Sequence, residues 1–178
     1  MDILLHICCG PCLIYPFDRL KVQGFSLKGF FYNPNIYPAV EYIRRQESLE
    51  LLSQDLKLQI KIPEQQESEF TQAIESLENT PPQRCLACWR LRLEKTAGYA
   101  KENGFKFFST TLLVSPYQNH EMLKQLGEKI AQDTGVGFYY EDFRPGFKSA
   151  YQEAKQKGLY LQKYCGCKYS VRPRTCAS

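Results

Sequence analysis

Hydrophobic and polar positions along this chain switch between two periodicities. Ile3, Leu4, Leu5 and Ile7 make a short apolar run that predicts a strand over 2–7, buried on both faces. Pro11-Cys12 opens a predicted helix over 11–23, and Gly24 stops it. A second strand over 27–32 ends at the breaker Asn33-Pro34-Asn35. Pro38, a favoured first helical residue, starts a long helix whose Leu49, Leu52 and Leu56 share a face. Leu58, Ile60 and Ile62 alternate as a strand does. A short helix is predicted over 67–78, and Pro81-Pro82 is expected to stop the chain. A helix over 84–103 then ends at Gly104 and leads into a strand over 105–110. A helix over 119–134 carries Leu123, Leu126 and Ile130 on one face and ends at Gly135. A strand over 136–140 and a helix over 146–157 complete the order.

Strands separated by helices predict an α/β fold, a three-layer Rossmann-like parallel sheet with helices on both faces. No linker, repeat or low-complexity stretch divides the chain, so one domain over 1–178 is expected. Its irregular, cysteine-bearing tail, about 159–178, is expected to fold back to the active site. In such sheets ligands bind beyond the carboxyl ends of the strands, and Cys8, Cys9 and Cys12 fall at the first of these ends.

Composition narrows the class. The 178 residues, 43% hydrophobic and 24% charged, suffice for a core without covalent staples. No apolar run approaches the roughly 20 residues of a membrane helix. The start, Met1-Asp2-Ile3-Leu4-Leu5-His6, lacks the positive charge of a signal peptide. A cytoplasmic protein with no membrane partner is expected. The net charge of +4 leans weakly toward an anionic partner.

The 8 cysteines change the picture most. In a reducing compartment, grouped cysteines indicate metal or redox chemistry more often than disulfides. They fall as Cys8, Cys9 and Cys12, then Cys85 and Cys88, then Cys165 and Cys167, with Cys176 apart. Soft thiolates select iron–sulfur clusters, zinc or copper(I), and a helix N-terminus favours the thiolate. On the helix of the second group, Cys85, Cys88, Arg92 and Tyr99 form one stripe. Leu86, Trp89, Leu93, Ala97 and Ala100 form the other, which is expected to dock on the sheet and turn the cysteines to the active edge. A four-iron cluster takes at most four cysteines, so thiols remain for a second metal, for proton donation or for a redox pair.

Rival patterns are weaker. Cys9-Gly10-Pro11-Cys12 after a strand suits a thioredoxin-like disulfide reductase, but that chemistry has no use for the other cysteines. The Cys9/Cys12 and Cys85/Cys88 pairs suit a zinc-stabilised RNA-binding module, but their separation far exceeds a zinc ribbon. A radical-SAM motif is excluded because Tyr15 stands where its third cysteine belongs. His6 reads as a core histidine and His120 as a surface one. No glycine-rich phosphate loop is present, so neither ATP nor NAD is expected.

Four motifs in order, His6-Ile7-Cys8-Cys9-Gly10-Pro11-Cys12, Cys85-Leu86-Ala87-Cys88, Glu141-Asp142-Phe143-Arg144 and Gln162-Lys163-Tyr164-Cys165-Gly166-Cys167-Lys168-Tyr169-Ser170, resemble epoxyqueuosine reductases of the QueH type. The resemblance runs from the first strand into the tail. It implies the last step of queuosine synthesis, removal of the epoxide oxygen of epoxyqueuosine at the wobble position of tRNA to leave an alkene. It implies a fold similar to PP-loop and adenine-nucleotide α-hydrolase-like domains. There the first loop binds ATP through a Ser-Gly-Gly-containing motif, and here the stretch 8–12 takes its place. It also implies a [4Fe-4S] cluster with a second iron ion close by.

On that reading an external electron donor feeds the cluster twice, one electron at a time. Cys85 and Cys88 are expected on the cluster with one or two cysteines from the other groups. The remainder of Cys8, Cys9, Cys12, Cys165 and Cys167 would hold the second metal, and the split stays open. Asp142 is expected either as a hard ligand to that metal or as the acid that protonates the leaving oxygen. A tRNA partner calls for phosphate contacts and a base to stack, for which Tyr32, Arg92, Arg144, Tyr164, Tyr169 and Arg172 are candidates. The stretch 168–174 is the strongest basic-plus-aromatic segment.

Overall fold

β1 (Asp2–His6) is buried from Ile3 to His6 because it has a parallel strand on each side and helices above and below. The computed structural model describes residues 1–170. In it β2 (Ser26–Phe30), β3 (Ile60–Lys61), β4 (Phe107–Thr110) and β5 (Gly137–Phe138) join β1 in one 5-stranded sheet, ordered β3-β2-β1-β4-β5. Every pairing is parallel. The helices are α1 (Gly10–Val22), α2 (Ala39–Asp55), α3 (Glu67–Ala73), α4 (Pro81–Glu102), α5 (His120–Thr134) and α6 (Phe147–Gln156). α1 packs with α2 and α6 while α4 packs with α5, the two layers that right-handed crossovers require in this strand order. The expected three-layer parallel fold is therefore what the chain adopts. Strand order reverses between β1 and β4, and a crevice at such a switch point is where this architecture binds ligands.

Local boundaries differ from the periodicity in instructive ways. Pro81-Pro82 do not stop the chain; they occupy the first turn of α4, where a missing N–H leaves no hydrogen bond unmade. Of the alternating run Leu58, Ile60, Ile62, only Ile60–Lys61 pairs, as an edge strand against β2. β5 is equally short, at the other edge. Short 3-10 turns at Thr111–Val114, Arg144–Gly146 and Lys168–Ser170 carry no periodic signal and are visible only in the structure. The stripe of α4 opposite the sheet is not free. α3 covers part of it, so Cys88 packs with Phe70 and Ile74. Among the described residues, no helix is long and apolar enough to cross a membrane.

Candidate functional site

The first thiol group forms where β1 runs into α1. Cys9 is the N-cap residue of α1 in extended conformation, and Pro11 fills the first turn without an N–H to satisfy. Gly10 sits against α2, where an added Cβ would stand 3.3 Å from Ser48 Oγ. The sulfurs of Cys8, Cys9 and Cys12 lie within 4.8 Å of one another. Thr111, just past β4, accepts the Cys8 N–H at 3.0 Å, and its hydroxyl donates to Cys8 Sγ at 3.3 Å. Gln162 Nε2 approaches Cys9 Sγ at 2.7 Å and Cys12 Sγ at 3.6 Å. The trio behaves as one titrating unit. Hydrogen bonds from the Cys12 and Cys9 thiols hold the Cys8 thiol well below its usual range, against its burial. Burial pushes Cys9 up, and its hydrogen bond to Cys8 pushes Cys12 up. A first negative charge therefore settles on Cys8. A soft cation would displace the other two protons.

The second group joins α4 to the tail. Burial pushes the Cys88 thiol up to about 12, with the neighbouring charges of Cys165, Cys167 and Cys85 adding to the rise and Arg92 opposing it. Burial and then Cys165 raise Cys85 in the same way. Four thiols thus face one another electrostatically, two from one helical turn and two from the tail. The seven cysteines of the described residues are all free.

The tail reaches this place through backbone anchors. Tyr37 N–H donates to Gly166 O at 2.8 Å. Arg45 Nη1 and Nη2 donate to the carbonyls of Cys165 and Tyr164 at 3.1 and 2.9 Å. Arg45 is in turn paired with Glu41 at 2.7 Å, and the Tyr160 hydroxyl donates to Glu41 at 2.5 Å. Gly166 has φ +127, and a Cβ there would press on Arg45, Ile36 and Asn35 at 3.2–3.3 Å, so only glycine suits the bend.

A cavity of about 480 Å³ opens beside the thiols, lined by Cys8, Cys12 and Cys165. Its apolar walls are Leu112, Val114, Tyr117, Phe147 and Tyr151; Arg45, Ser115, Gln118, Gln162 and Lys163 supply polar groups. Phe147 lies edge-on to Tyr117 and inclined to Tyr151 by 32°. α6 brings Phe147 this close because Gly146 lies against the Tyr15 ring, 1.9 Å from where a Cβ would be.

The expected site residues separate on this geometry. Of the seven named cysteines, only Cys8, Cys9 and Cys12 lie close enough among the described residues to share one ion, while Cys85, Cys88, Cys165 and Cys167 feel one another's charge; Tyr164 lines the cavity. Tyr32 is 0% exposed, with Lys95 over its ring at 5.5 Å, so it is core and cannot stack on a base. Arg92 is 1% exposed and unable to meet a phosphate in solution. Tyr169 stacks under Arg84 at 4.6 Å. Arg172 and Cys176 lie outside the described residues. Asp142 forms a two-pronged pair with Arg144, at 2.8 and 2.6 Å, and neither lines the cavity. That hydrogen-bonded guanidinium holds the Asp142 carboxyl down at about 2. A group so acidic keeps no proton to give near neutrality, which corrects its expected role as the acid. Because the folded value is depressed, the pairing contributes above the ordinary 3.8 and is lost as pH falls toward about 2. A carbon-13 titration of Asp142 is expected to show no inflection above about pH 3, and Arg144→Met to restore one near the ordinary value.

Thr111, Gln162, Arg45 and Glu41 are the positioning residues the periodicity did not single out. Gln162 stands inside the fourth motif and so had a signal; Thr111 and Glu41 act only through packing that joins distant segments.

The family model described as "Epoxyqueuosine reductase QueH" matches residues 3–173. Proteins named epoxyqueuosine reductase QueH are similar over most of the chain. The one from Dehalococcoides mccartyi is 36% identical, covering 97% of this chain and 93% of its own. The one from Thermotoga maritima is 35% identical over 97% and 91%, and that from Acinetobacter baylyi 35% over 96% and 80%. Among solved structures, a predicted subunit of tRNA methyltransferase from Methanocaldococcus jannaschii shares the fold. Its TM-score is 0.58 at 14% identity, covering 87% of this chain and 74% of that one.

Proposed function

We propose that this chain, which belongs to the epoxyqueuosine reductase QueH family, removes the epoxide oxygen of epoxyqueuosine in tRNA at a centre held by its clustered cysteines. The reading rests above all on the cavity whose wall contains thiols of both groups, Cys8 and Cys12 from one and Cys165 from the other. The donor set fits an iron–sulfur site, being all sulfur and free of disulfides, with Cys9, Cys12 and Cys88 buried and Cys165 open to the cavity. Cys85, Cys88, Cys165 and Cys167 supply the four thiolates a [4Fe-4S] cluster takes, and Cys8, Cys9 and Cys12 suit a second iron ion. When bound, the pair of centres supplies single electrons from an external donor and a Lewis acid for the epoxide oxygen.

The chain's own residues do the rest. The cavity takes the flipped-out base, with Phe147 and Tyr151 as its stacking wall and Ser115 and Gln118 facing its polar edges. Two electrons and two protons convert epoxide to alkene and water. Lys163 presents an ammonium donor to the departing oxygen from the cavity rim. Thr111 and Gln162 hold the Cys8 and Cys9 sulfurs in place. A tRNA substrate supports a cytoplasmic setting for the reaction.

Tyr151 is 41% exposed, so its loss leaves the core intact. Tyr151→Ala is expected to raise KM for modified tRNA about tenfold at unchanged iron content, within the range of base stacking on an aromatic ring. Steady-state kinetics on epoxyqueuosine-containing tRNA reads it.

The main test is anaerobic purification with iron, sulfide and zinc analysis, followed by reduction of epoxyqueuosine-containing tRNA with a low-potential donor. A brown protein that strips one oxygen from the nucleoside, read by mass spectrometry, supports the reading. A colourless zinc protein that takes up no iron and sulfide on anaerobic reconstitution overturns it and favours the RNA-binding module.

A further inference from the structure

α4 buries a cation that meets no anion among the described residues. Arg92 lies one helical turn beyond Cys88 and on the face of α4 that carries Cys85 and Cys88. Its side chain is 1% exposed. Nη1 donates to the amide oxygens of Asn33 and Asn35 at 3.2 and 3.3 Å. Among the described residues, Nε and Nη2 are buried with no acceptor, and the Asn35 amide nitrogen is likewise unpartnered. Among the described residues, no carboxylate comes within 4.0 Å of Arg92.

The contrast with Arg45 is direct. Arg45 is just as buried, at 2% side-chain exposure, but its guanidinium is matched by Glu41 and by two tail carbonyls. A buried guanidinium without counter-charge is costly, and two idle donors add to the cost. A fold tolerates that only where something else completes the site. Cys88 stands one turn back on the same helix face, and the charge of Arg92 reaches His6 in β1 and three thiols, Cys88, Cys165 and Cys85. Those are three of the four cysteines assigned above to the cluster.

We infer that Arg92 is the buried counter-cation of the cysteine-held anionic cluster, and that it raises the cluster's reduction potential. The inference rests on the proposed iron–sulfur reading and deepens it. Four thiolates around a cluster carry net negative charge, and each electron added makes the charge larger. A fixed cation beside it favours the reduced form, one of the recognised means of tuning such potentials. Arg92 is thus a positioning residue for charge. It touches neither substrate nor solvent.

The test uses the iron–sulfur-loaded protein, prepared anaerobically, in four forms: unaltered, Arg92→Met, Arg92→Gln and Arg92→Lys. Iron and sulfide are measured first, then the midpoint potential by spectroelectrochemistry. The two neutral variants are expected to be at least tenfold less reduced at the unaltered protein's midpoint, a downward shift of about 59 mV for one electron. Arg92→Lys, which keeps the charge, is expected to recover most of that shift. In the metal-free protein Arg92→Met is expected to unfold at no lower urea than the unaltered chain, because the buried charge it removes has no counter-charge among the described residues and outweighs its two long amide hydrogen bonds. If Met does not fold, Gln carries the same expectation. A loaded neutral variant with an unchanged midpoint overturns the inference alone. An unaltered protein that takes up no iron and sulfide overturns the cluster reading, and the inference with it.

Discussion

Cys88→Ser is expected to strip the protein of acid-labile sulfide and to lower epoxyqueuosine reduction by more than about 100-fold, beyond what loss of an outer-shell partner costs. Cys88 is buried against Phe70 and Ile74, so no solvent ligand can replace its sulfur. Serine nearly preserves the volume, which keeps α3 packed on α4 and separates loss of ligation from loss of fold. Cys12→Ser makes the informative comparison. Its sulfur belongs to the other group, within 4.8 Å of Cys8 and Cys9. If the two groups hold separate centres, Cys12→Ser keeps its sulfide and its brown colour, while iron falls from about five to about four per four sulfides. Parallel iron and sulfide analysis of the two variants decides the point. Equal loss of sulfide in both would show that the groups share one centre.

Glu41→Ala is expected to destabilise the metal-free protein by about 3–5 kcal/mol, the cost of breaking a buried ion pair from one side. Glu41 and Arg45 have side-chain exposures of 6% and 2%, so water cannot take over the pairing. The loss spreads beyond the pair, because Glu41 also accepts the Tyr160 hydroxyl and Arg45 carries the Tyr164 and Cys165 carbonyls. Cys167, half-buried in the folded chain, should therefore become reactive toward a thiol reagent at urea concentrations where the rest of the chain remains folded. Urea unfolding gives the first quantity and mass-mapped alkylation the second. In Glu41→Ala/Arg45→Met the stranded charge is gone as well, and part of the stability should return. If the double variant is no better than the single one, the pair is not what holds the tail.

Much of this architecture was legible in periodicity. Leu123, Leu126 and Ile130 mark the buried face of α5, and Ile3, Leu4 and Leu5 mark a strand that only parallel neighbours could cover. The cysteines were legible as a set because soft, closely spaced donors have few other uses. Their division was not, since it depends on where the tail docks, and the tail has no period to read. Arg92 and Tyr32 were misjudged for a related reason. A charged or hydroxylated side chain off an apolar stripe normally faces water, but here Arg92 turns inward to Asn33 and Asn35 in the loop after β2, where Tyr32 is buried as well. Asp142 was misjudged because its partner, Arg144, lies only two residues away, so a local ion pair resembled a pair of site residues. Pro81-Pro82 carried two meanings, break or first turn, and only the length of α4 chose between them.

The contact of Gln162 with Cys9 joins residues 153 positions apart. A ribosome makes the chain from its N-terminal side, so the Cys8, Cys9 and Cys12 thiols emerge long before the segment that closes over them. Throughout that interval the three thiols lack the Gln162 contact and the cover of the tail, which leaves the growing chain more open to oxidation than the finished one. The second group is incomplete for the same time, because Cys85 and Cys88 wait for Cys165 and Cys167. On the proposed reading, maturation of the centre is tied to completion of synthesis: an interrupted chain offers thiols to damage but no finished cage.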